Sequence, residues 1–384
     1  HYREQNFVSY FRGIIQAIDL PVFFYNNEKA TGFRPSYDFF VKMLEIGIQG
    51  FKSKGDYLEM TDQIKLLKTH SSDGIYLSGT TSVVTGGAGF VGSHLAETLL
   101  ERGASVTVVD DLSNGNVEWV PGDATFIEGD LTEAEIAREA IGPDTDIVFH
   151  LAAGKDVNDP NPRDQFQANT AMTFNVLERM ASVDVPAIAY TSSSTVYGEA
   201  PRPTPEDYPQ RPISLYGTSK TAEEGLISTY VSAYDMTAWV FRFANIVGPR
   251  LQPGSVLVDF IQKLRRDPET LEILGNGRQE KSYMHVTDCI DAMSHVVGNA
   301  HDPFNVFNLG TQTTTSVDRI ADIVSEQMGL DPTYEYTGGD RGWSGDVPRM
   351  RLSIEKLAAL GWKPEIPSDT AVKRATGTLL DTLE

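Results

Sequence analysis

The sequence contains one cysteine, Cys289, among 384 residues, and it has no apolar run long enough to span a membrane. A single cysteine excludes an internal disulfide framework and is more often a small buried apolar residue than a nucleophile. The N-terminus lacks the basic start and apolar stretch of a secretory signal. Seven histidines are scattered without metal-ligand spacing. We therefore expect a cytoplasmic protein with no metal site and no membrane partner.

Lysine is scarce after residue 80. Residues 1–80 hold nine basic and nine acidic side chains, whereas residues 81–384 hold 23 basic and 44 acidic side chains and therefore the whole net charge of −21. Only seven of those 23 basic residues are lysines, against six of nine in the first part. Such a surface suits concentrated salt, which screens self-repulsion, and it argues against nucleic acid as a partner.

From residue 82 onward, apolar strand patterns alternate with amphipathic helical patterns. The strand-like segments are SVVTG, SVTVVD, DIVFHLA, AIAYTSS and AWVFRFA. This alternation predicts an α/β fold with a doubly wound parallel sheet. The first strand runs into SVVTGGAGFVGSHL, in which Gly86, Gly89 and Gly92 have the spacing of a dinucleotide-binding turn followed by a helix N-terminus. The second strand ends at Asp110, whose carboxylate would bind the adenosine ribose and repel the 2′-phosphate of NADP, so NAD is the predicted cofactor.

Tyr216 and Lys220, in LYGTSK, are four residues apart and share one face of a predicted helix. An ammonium beside a phenol favours the phenolate, so we expect a lowered tyrosine pKa and a general base that works while hydride leaves for nicotinamide. A hydroxyl at the end of the preceding strand, in TSSSTVYG, would hold the substrate oxygen.

Residues 82–384 resemble the extended short-chain dehydrogenase/reductase family, and within it the UDP-glucose 4-epimerase-like enzymes. The motifs that carry the resemblance are VVTGGAGFVGSHL, VVDDLSNG, EGDL, VFHLAA, SSSTVYGE, SLYGTSK, RFANIVGPR and GDVP. The resemblance implies a Rossmann-type domain at residues 81–250, a smaller region at 251–384 that mainly binds the sugar nucleotide, and epimerisation at C4 through a transient 4-keto sugar. It also implies a homodimer that pairs through helices at about 163–182 and 216–234.

The resemblance also implies a role for each matched residue. Ser193, Tyr216 and Lys220 would be catalytic, although Ser192 and Ser194 compete with Ser193 as the catalytic hydroxyl. The sugar nucleotide would be bound by Ser193, Asn245, Lys281 and Arg341. The residues implied to bind NAD are Gly86, Gly89, Phe90, Val91, Gly92, Asp110, Asp130, Leu131, Leu151, Ala152, Ala153, Lys155, Tyr216 and Lys220.

Two departures bear on the reaction and the substrate. Dehydratases of this family carry Asp-Glu where this chain has Thr195 and Val196, so epimerisation is favoured over dehydration, with another nucleotide-sugar oxidoreductase as the alternative. The epimerases commonly have an arginine where this chain has Lys281, which can meet a phosphate only as a point charge. A second expected arginine falls near Trp343, with Arg341 two residues earlier. Arg250 is either a further phosphate ligand or a surface arginine.

Residues 1–80 resemble a fragment of the dihydrodipicolinate synthase and N-acetylneuraminate lyase group of barrel aldolases, on the segments DLPVFFYNNEKATG, IQGFKSKGD and DGIYLSGTT. The resemblance implies a catalytic Tyr25 and a Schiff-base Lys52. About three of eight strands are present, and an open barrel leaves its edges unpaired, so we expect a relic without aldolase activity. With the charge break at the same point, a composite or fused chain is expected.

Overall fold

The computed structural model describes residues 11, 23–26, 50–53, 77, 79–154, 161–343 and 345–383. The chain divides into two compact units, His1–Tyr76 and Leu77–Glu384. In the first unit, strands β1 (Phe23–Asn26) and β2 (Gly50–Ser53) pair in parallel, with Tyr25 opposite Lys52. The remainder of the predicted barrel fragment before residue 77 lies outside the described residues, apart from residue 11. No helix in the described ranges is long and apolar enough to cross a membrane.

The second unit is built on a parallel sheet of seven strands. The described strands of this unit, in the large sheet and in the smaller ones, are β3 (Thr81–Thr85), β4 (Ser105–Asp110), β5 (Thr125–Glu128), β6 (Ile147–His150), β7 (Ala187–Ser193), β8 (Thr237–Phe243), β9 (Asn245–Val247), β10 (Thr270–Ile273), β11 (Glu280–Lys281), β12 (Tyr283–His285), β13 (Phe304–Leu309), β14 (Thr315–Ser316), β15 (Thr333–Tyr336) and β16 (Arg349–Met350). The order in the large sheet is β5-β4-β3-β6-β7-β8-β13, with every pair parallel. This is a Rossmann-type sheet, as the alternating sequence pattern predicts.

Helices cover the sheet and form much of the C-terminal region. They are α1 (Phe90–Glu101), α2 (Ala134–Ala140), α3 (Pro162–Ser182), α4 (Leu215–Tyr234), α5 (Val256–Arg266), α6 (Val286–Asn299), α7 (Val317–Met328), α8 (Glu355–Ala359) and α9 (Ser368–Thr382). On one face, Val148 and Ile188 of the sheet pack with Leu177 of α3 and Ile227 of α4, all four fully buried. Burial of side chains of this size contributes about 2 kcal/mol each to stability.

The smaller sheets lie in the C-terminal region, where β9 pairs with β12, β10 with β15, and β11 with β14 and β16. β13 belongs to this stretch of sequence but joins the edge of the large sheet beside β8, so the region after residue 250 also contributes to the Rossmann sheet. The chain leaves β3 toward β4 on one side and later returns to β6 on the other side. This reversal opens a crevice at the carboxyl ends of β3 and β6, where ligands of such sheets bind.

Candidate active site

The glycine-rich turn connects β3 to α1 and is shaped by contacts that no side chain could share. Gly86 has a φ of +66°, and a Cβ there would lie 2.7 Å from the Ala152 backbone nitrogen. A Cβ on Gly92 would lie 2.1 Å from the Gly86 carbonyl oxygen, so α1 packs directly on the turn. Gly89 is the N-cap of α1 and brings no side-chain acceptor to the first helical amides of Phe90 and Val91. Uncapped amides and the positive end of the helix dipole suit a pyrophosphate.

Asp110 ends β4 beside this turn. Its two carboxylate oxygens accept hydrogen bonds from the backbone amides of Ala88 (3.0 Å) and Leu112 (2.9 Å). Burial raises the pKa of Asp110, although these two hydrogen bonds oppose the rise. Next to it, Asp130 follows β5 and Leu131 is buried. The predicted adenosine residues therefore line adjacent strand ends.

The predicted nicotinamide side follows β6. The Leu151 and Ala152 amides both donate to the Thr85 hydroxyl, at 3.1 and 3.2 Å, so this loop is attached to the end of β3. Ala153 continues the loop, and Lys155 lies outside the described residues.

Ser193 and Tyr216 come together at the end of β7. Ser193 is the last residue of the strand, and Tyr216 lies in the first turn of α4, which Ser214 caps by accepting from the Gly217 amide (3.1 Å). The two side chains share a hydrogen bond. Ser192 points to the other face of the sheet, where its hydroxyl donates to Glu224 at 2.5 Å. Of Ser192 and Ser193, Ser193 is therefore the one whose side chain meets Tyr216, and Ser194 begins the turn that follows.

Lys220 is 1% exposed and lies beneath Tyr216, with its ammonium 5.9 Å from the centre of the Tyr216 ring. Its nitrogen is 3.5 Å from a carboxylate oxygen of Glu223, which is fully buried. Within the described ranges this ammonium makes no hydrogen bond, so its donors are unused. A buried ammonium without hydrogen bonds is costly unless a ligand supplies acceptors.

Burial raises the pKa of Tyr216 and Glu223 adds to the rise, while Lys220 and the hydrogen bond with Ser193 oppose it. The direction predicted from the Lys220 spacing is therefore wrong. That prediction counted the ammonium but neither the desolvation of the phenol nor the neighbouring carboxylate.

The predicted sugar-nucleotide residues lie on the C-terminal side. Asn245 begins β9 and is paired in register with Tyr283 of β12, two residues beyond Lys281. Lys281 donates to a carboxylate oxygen of Asp346 at 2.5 Å, and Asp346 is nearly fully buried. Arg341 donates to the Asp346 carbonyl (3.0 Å) and forms an ion pair with Glu199. Both predicted phosphate cations are thus already neutralised by carboxylates.

Arg250 is not a solvated surface arginine. It donates to Ser93 (3.0 Å) and pairs with Glu97 (2.6 Å), both on α1, and so holds the loop after β9 against this helix.

Burial raises the pKa of the Cys289 thiol, as expected of an inert buried cysteine. Among the described residues, no cluster of three or more metal-ligating side chains occurs.

Sequence reasoning missed the buried polar groups behind the site. They are Thr85, His150, Thr173, Tyr190 and Glu223. The one local signal is that Glu223 follows Lys220 by three residues and so shares its helix face. Both ring nitrogens of His150 are hydrogen-bonded, to the hydroxyls of Thr85 (2.7 Å) and Thr173 (3.0 Å).

The sheet order, the glycine turn and the polar residues at the strand ends define a Rossmann-type, dinucleotide-dependent enzyme. Residues 82–310 match the NAD dependent epimerase/dehydratase family. The chain is 31% identical over 300 residues to the UDP-glucose 4-epimerase of Mycolicibacterium smegmatis, covering 74% of this chain and 94% of that protein. We conclude that the chain belongs to the NAD dependent epimerase/dehydratase family.

Solved structures agree with this assignment. A crystal structure of a UDP-galactose 4-epimerase is similar with a TM-score of 0.73 and 40% identity, over 79% of this chain and all of that one. The UDP-glucose 4-epimerase of Thermotoga maritima, solved with UDP-glucose, has a TM-score of 0.73 and 31% identity over the same shares. No comparison supports the predicted aldolase fragment in residues 1–80, which stays a prediction.

Proposed function

We propose that this protein catalyses NAD-dependent epimerisation at C4 of a nucleotide sugar of the UDP-glucose/UDP-galactose type. The observation that carries the proposal is the buried Lys220 ammonium with unused donors, set beneath a tyrosine that hydrogen-bonds Ser193. Family membership and the UDP-hexose epimerases among its relatives support the same reaction.

The residues present fit NAD. The uncapped start of α1 at Gly89, Phe90 and Val91 offers amides for the pyrophosphate, and Asp110 offers carboxylate lone pairs for the adenosine ribose. The ammonium of Lys220 offers donors that the hydroxyls of the second ribose would accept. When bound, NAD supplies a hydride acceptor and a positive nicotinamide ring.

Tyr216 is the proposed general base. Lys220, together with the positive nicotinamide ring, would favour the phenolate against the burial and the Glu223 charge that raise the pKa of Tyr216. As hydride leaves C4, the phenolate takes the proton of the 4-hydroxyl, and it gives the proton back when hydride returns to the opposite face of the 4-keto sugar. Lys220 stabilises the phenolate, and Ser193 donates a hydrogen bond to the reacting oxygen. Asn245, Lys281 and Arg341 would hold the sugar nucleotide.

The proposal is tested by incubating the purified protein with UDP-galactose in concentrated salt without added NAD. We expect UDP-glucose to form, and Tyr216→Phe to reduce kcat by about 10³-fold because the base is lost. Tyr336→Phe is the matched control, since that phenol is exposed and bonds Asp318, which is not a proposed site residue. Equal activity of Tyr216→Phe and Tyr336→Phe would refute the assignment of the base.

A second candidate function is dehydration or net oxidation of a nucleotide sugar. The turn after Ser193 carries Ser194, Thr195 and Val196, none of which has a carboxyl group to act at C5 or C6, so this turn does not supply the acid and base of an elimination. Stoichiometric release of NADH when substrate is added would favour net oxidation instead.

A homodimer is proposed through α3 and α4. These helices pack together and expose large apolar side chains, with Phe174 46% and Tyr234 53% exposed, while the Tyr230 ring lies between them at centroid distances of 6.4 and 5.2 Å. A solution mass near twice 42.3 kDa would support the dimer, and a mass of 42.3 kDa would exclude it.

For residues 1–80 we propose an inert piece fused to the enzyme, in a protein adapted to concentrated salt. The parallel pairing of β1 and β2, with Tyr25 opposite Lys52, is compatible with two adjacent barrel strands. Borohydride trapping of pyruvate on Lys52 would contradict inertness, and a UDP-hexose epimerase optimum in dilute buffer would contradict the salt adaptation.

A further inference from the structure

Two consecutive glutamates of α4 are buried, and they form ion pairs with different partners. Glu224 forms a bidentate ion pair with Arg242, with distances of 3.0 and 2.7 Å, and also accepts from Ser192. Glu223 is fully buried and faces Lys220 instead, at 3.5 Å. The first pair joins α4 to β8, whereas the second lies directly behind Tyr216.

Glu223 neutralises the positive charge of Lys220 without accepting a hydrogen bond from its ammonium group. The separation of 3.5 Å is an ion-pair distance, and within the described part of the chain the ammonium donates no hydrogen bond. Glu223 therefore offsets the cost of burying the lysine while leaving its N–H groups for ligands. A carboxylate that hydrogen-bonded Lys220 would compete with the cofactor for those groups.

Glu223 is itself held by two hydroxyls. Its Oε2 accepts from Thr173 of α3 at 2.8 Å and from Tyr190 of β7 at 2.7 Å. Because Thr173 donates to the carboxylate, its oxygen accepts from Nε2–H of His150. The other ring nitrogen of His150 then accepts from the hydroxyl of Thr85.

These bonds form one directed chain from the cofactor side to the carboxylate of Glu223. It starts at the Leu151 and Ala152 amides, which donate to Thr85, and passes through His150 and Thr173 to Glu223. His150 is neutral in this chain: burial, with the charge of Lys220, lowers its pKa to about 3. Every donor thus points toward the carboxylate.

We propose that Glu223 is a positioning residue of the active site, which fixes Lys220 from behind and is itself oriented by the chain through Thr85, His150 and Thr173. The inference rests on the proposed function, because it assigns a part to a group that acts through Lys220 and Tyr216. It concerns Glu223 and not Glu224, since the carboxylate of Glu224 forms its ion pair with Arg242.

The charge of Glu223 also acts on Tyr216. The charged or titratable groups around this site are Lys220 on the same helix, Tyr190 on β7 and His150 on β6, and Glu223 opposes the effect of Lys220 on the phenol. Glu223→Gln keeps the shape and an acceptor for Thr173 and Tyr190 but removes the charge. The Tyr216 pKa should then fall, so the acid limb of the kcat profile moves to lower pH.

The test compares Glu223→Gln with Glu224→Gln, an adjacent change of the same chemistry at a side chain that is also buried. NADH fluorescence titration of protein freed of its retained NAD needs no turnover and reports whether Lys220 is held in place for the cofactor. We expect Glu223→Gln to weaken NADH binding about tenfold, the effect of ~1.4 kcal/mol, and to shift the acid limb by roughly one pH unit. Glu224→Gln should lower the melting temperature but keep NADH affinity within about twofold and the profile unmoved.

Wild-type NADH affinity and an unmoved profile in Glu223→Gln would overturn the inference, as would equal losses in both variants. If Glu223→Gln does not fold, Thr173→Val is tested in its place, because it breaks the hydrogen-bond chain between His150 and Glu223 without removing a charge. A folded Thr173→Val with wild-type NADH affinity would also overturn the inference, whereas a loss of about threefold supports it. A wild-type protein that binds NADH but converts no UDP-hexose would refute the proposed function and leave the NADH comparison intact.

Discussion

The two sides of the candidate active site differ in whether their cationic side chains are already hydrogen-bonded to carboxylates. On the cofactor side, Lys220 has a carboxylate nearby but no hydrogen bond within the described residues, so its donors are available. On the sugar-nucleotide side, Lys281 and Arg341 are occupied by Asp346 and Glu199. A site whose donors are free before the ligand arrives suits a cofactor that stays bound through each catalytic cycle. If Lys281 and Arg341 bind the sugar nucleotide as proposed, a substrate that enters and leaves would displace these carboxylates, which would weaken its binding and limit how long product is retained.

Lys220→Met would break the cofactor side most severely. It removes the ammonium and leaves Glu223 buried and unpaired, so the free energy of unfolding should fall by about 3 kcal/mol. We expect kcat to fall by at least about 10²-fold and NAD to be lost on purification. Denaturant melts and the nucleotide content of the purified protein measure this. The double variant Lys220→Met/Glu223→Gln should regain stability but not activity, and recovery of activity would contradict the assigned role of Lys220.

His150 makes the cofactor side sensitive to acid. Its pKa is about 3 in the folded protein against about 6.5 when unfolded, so the unfolded chain binds more protons between these values. Stability from this residue is complete above pH ~6.5 and falls by up to about 1.4 kcal/mol per pH unit as pH drops toward 3. The difference in unfolding free energy between wild type and His150→Gln should therefore shrink as pH falls through this window. A difference that does not vary with pH would mean that His150 titrates normally.

Lys281→Met would test the sugar-nucleotide side. Loss of the ammonium that pairs with the Asp346 carboxylate should raise KM for the UDP-sugar about tenfold, with little change in kcat. Retained NAD should be unchanged, because the Lys281 side chain bonds Asp346 and, among the described residues, no residue proposed to bind NAD. Steady-state kinetics with nucleotide analysis check both, and loss of NAD in this variant would mean that the two sides are not separable.

Asp346→Asn tests the same ion pair from the carboxylate side, and we expect the smallest effect from it, in the direction opposite to that of Lys281→Met. It leaves an acceptor for the Gly342 amide but frees Lys281 for the diphosphate, so KM should fall by about threefold and depend more steeply on salt. A KM series over salt concentration measures both effects. An increase in KM would show that Asp346 orients Lys281 rather than competing for it.

Local patterns predicted the fold of the second unit well. The five apolar segments from SVVTG to AWVFRFA all became strands of the large sheet, and the spacing of Tyr216 and Lys220 placed both on α4. These features are encoded within a few residues, as alternation, turn glycines and helical spacing are. The pairing of Ser193 rather than Ser192 with Tyr216 needed the strand geometry, since both lie in one run of serines.

The polar support of the site could not be read from the sequence. Thr85 and His150 are 65 residues apart, and Thr173 and Glu223 are 50 apart, so only the sheet order and helix packing bring them together. The pKa direction of Tyr216 failed for the same reason, because desolvation depends on tertiary burial. The partnering of Lys281 and Arg341 by Asp346 and Glu199 also depends on loop contacts without a local pattern.

The most direct test of the central claim follows deuterium at C4. UDP-galactose deuterated at that carbon is converted in ordinary water, and the UDP-glucose formed is examined by mass spectrometry and NMR. Removal of hydride from C4 and its return to the same sugar in one closed site predict nearly complete retention of deuterium at C4. UDP-glucose that carries solvent hydrogen at C4 would contradict hydride transfer, and with it the roles proposed for Tyr216 and Lys220.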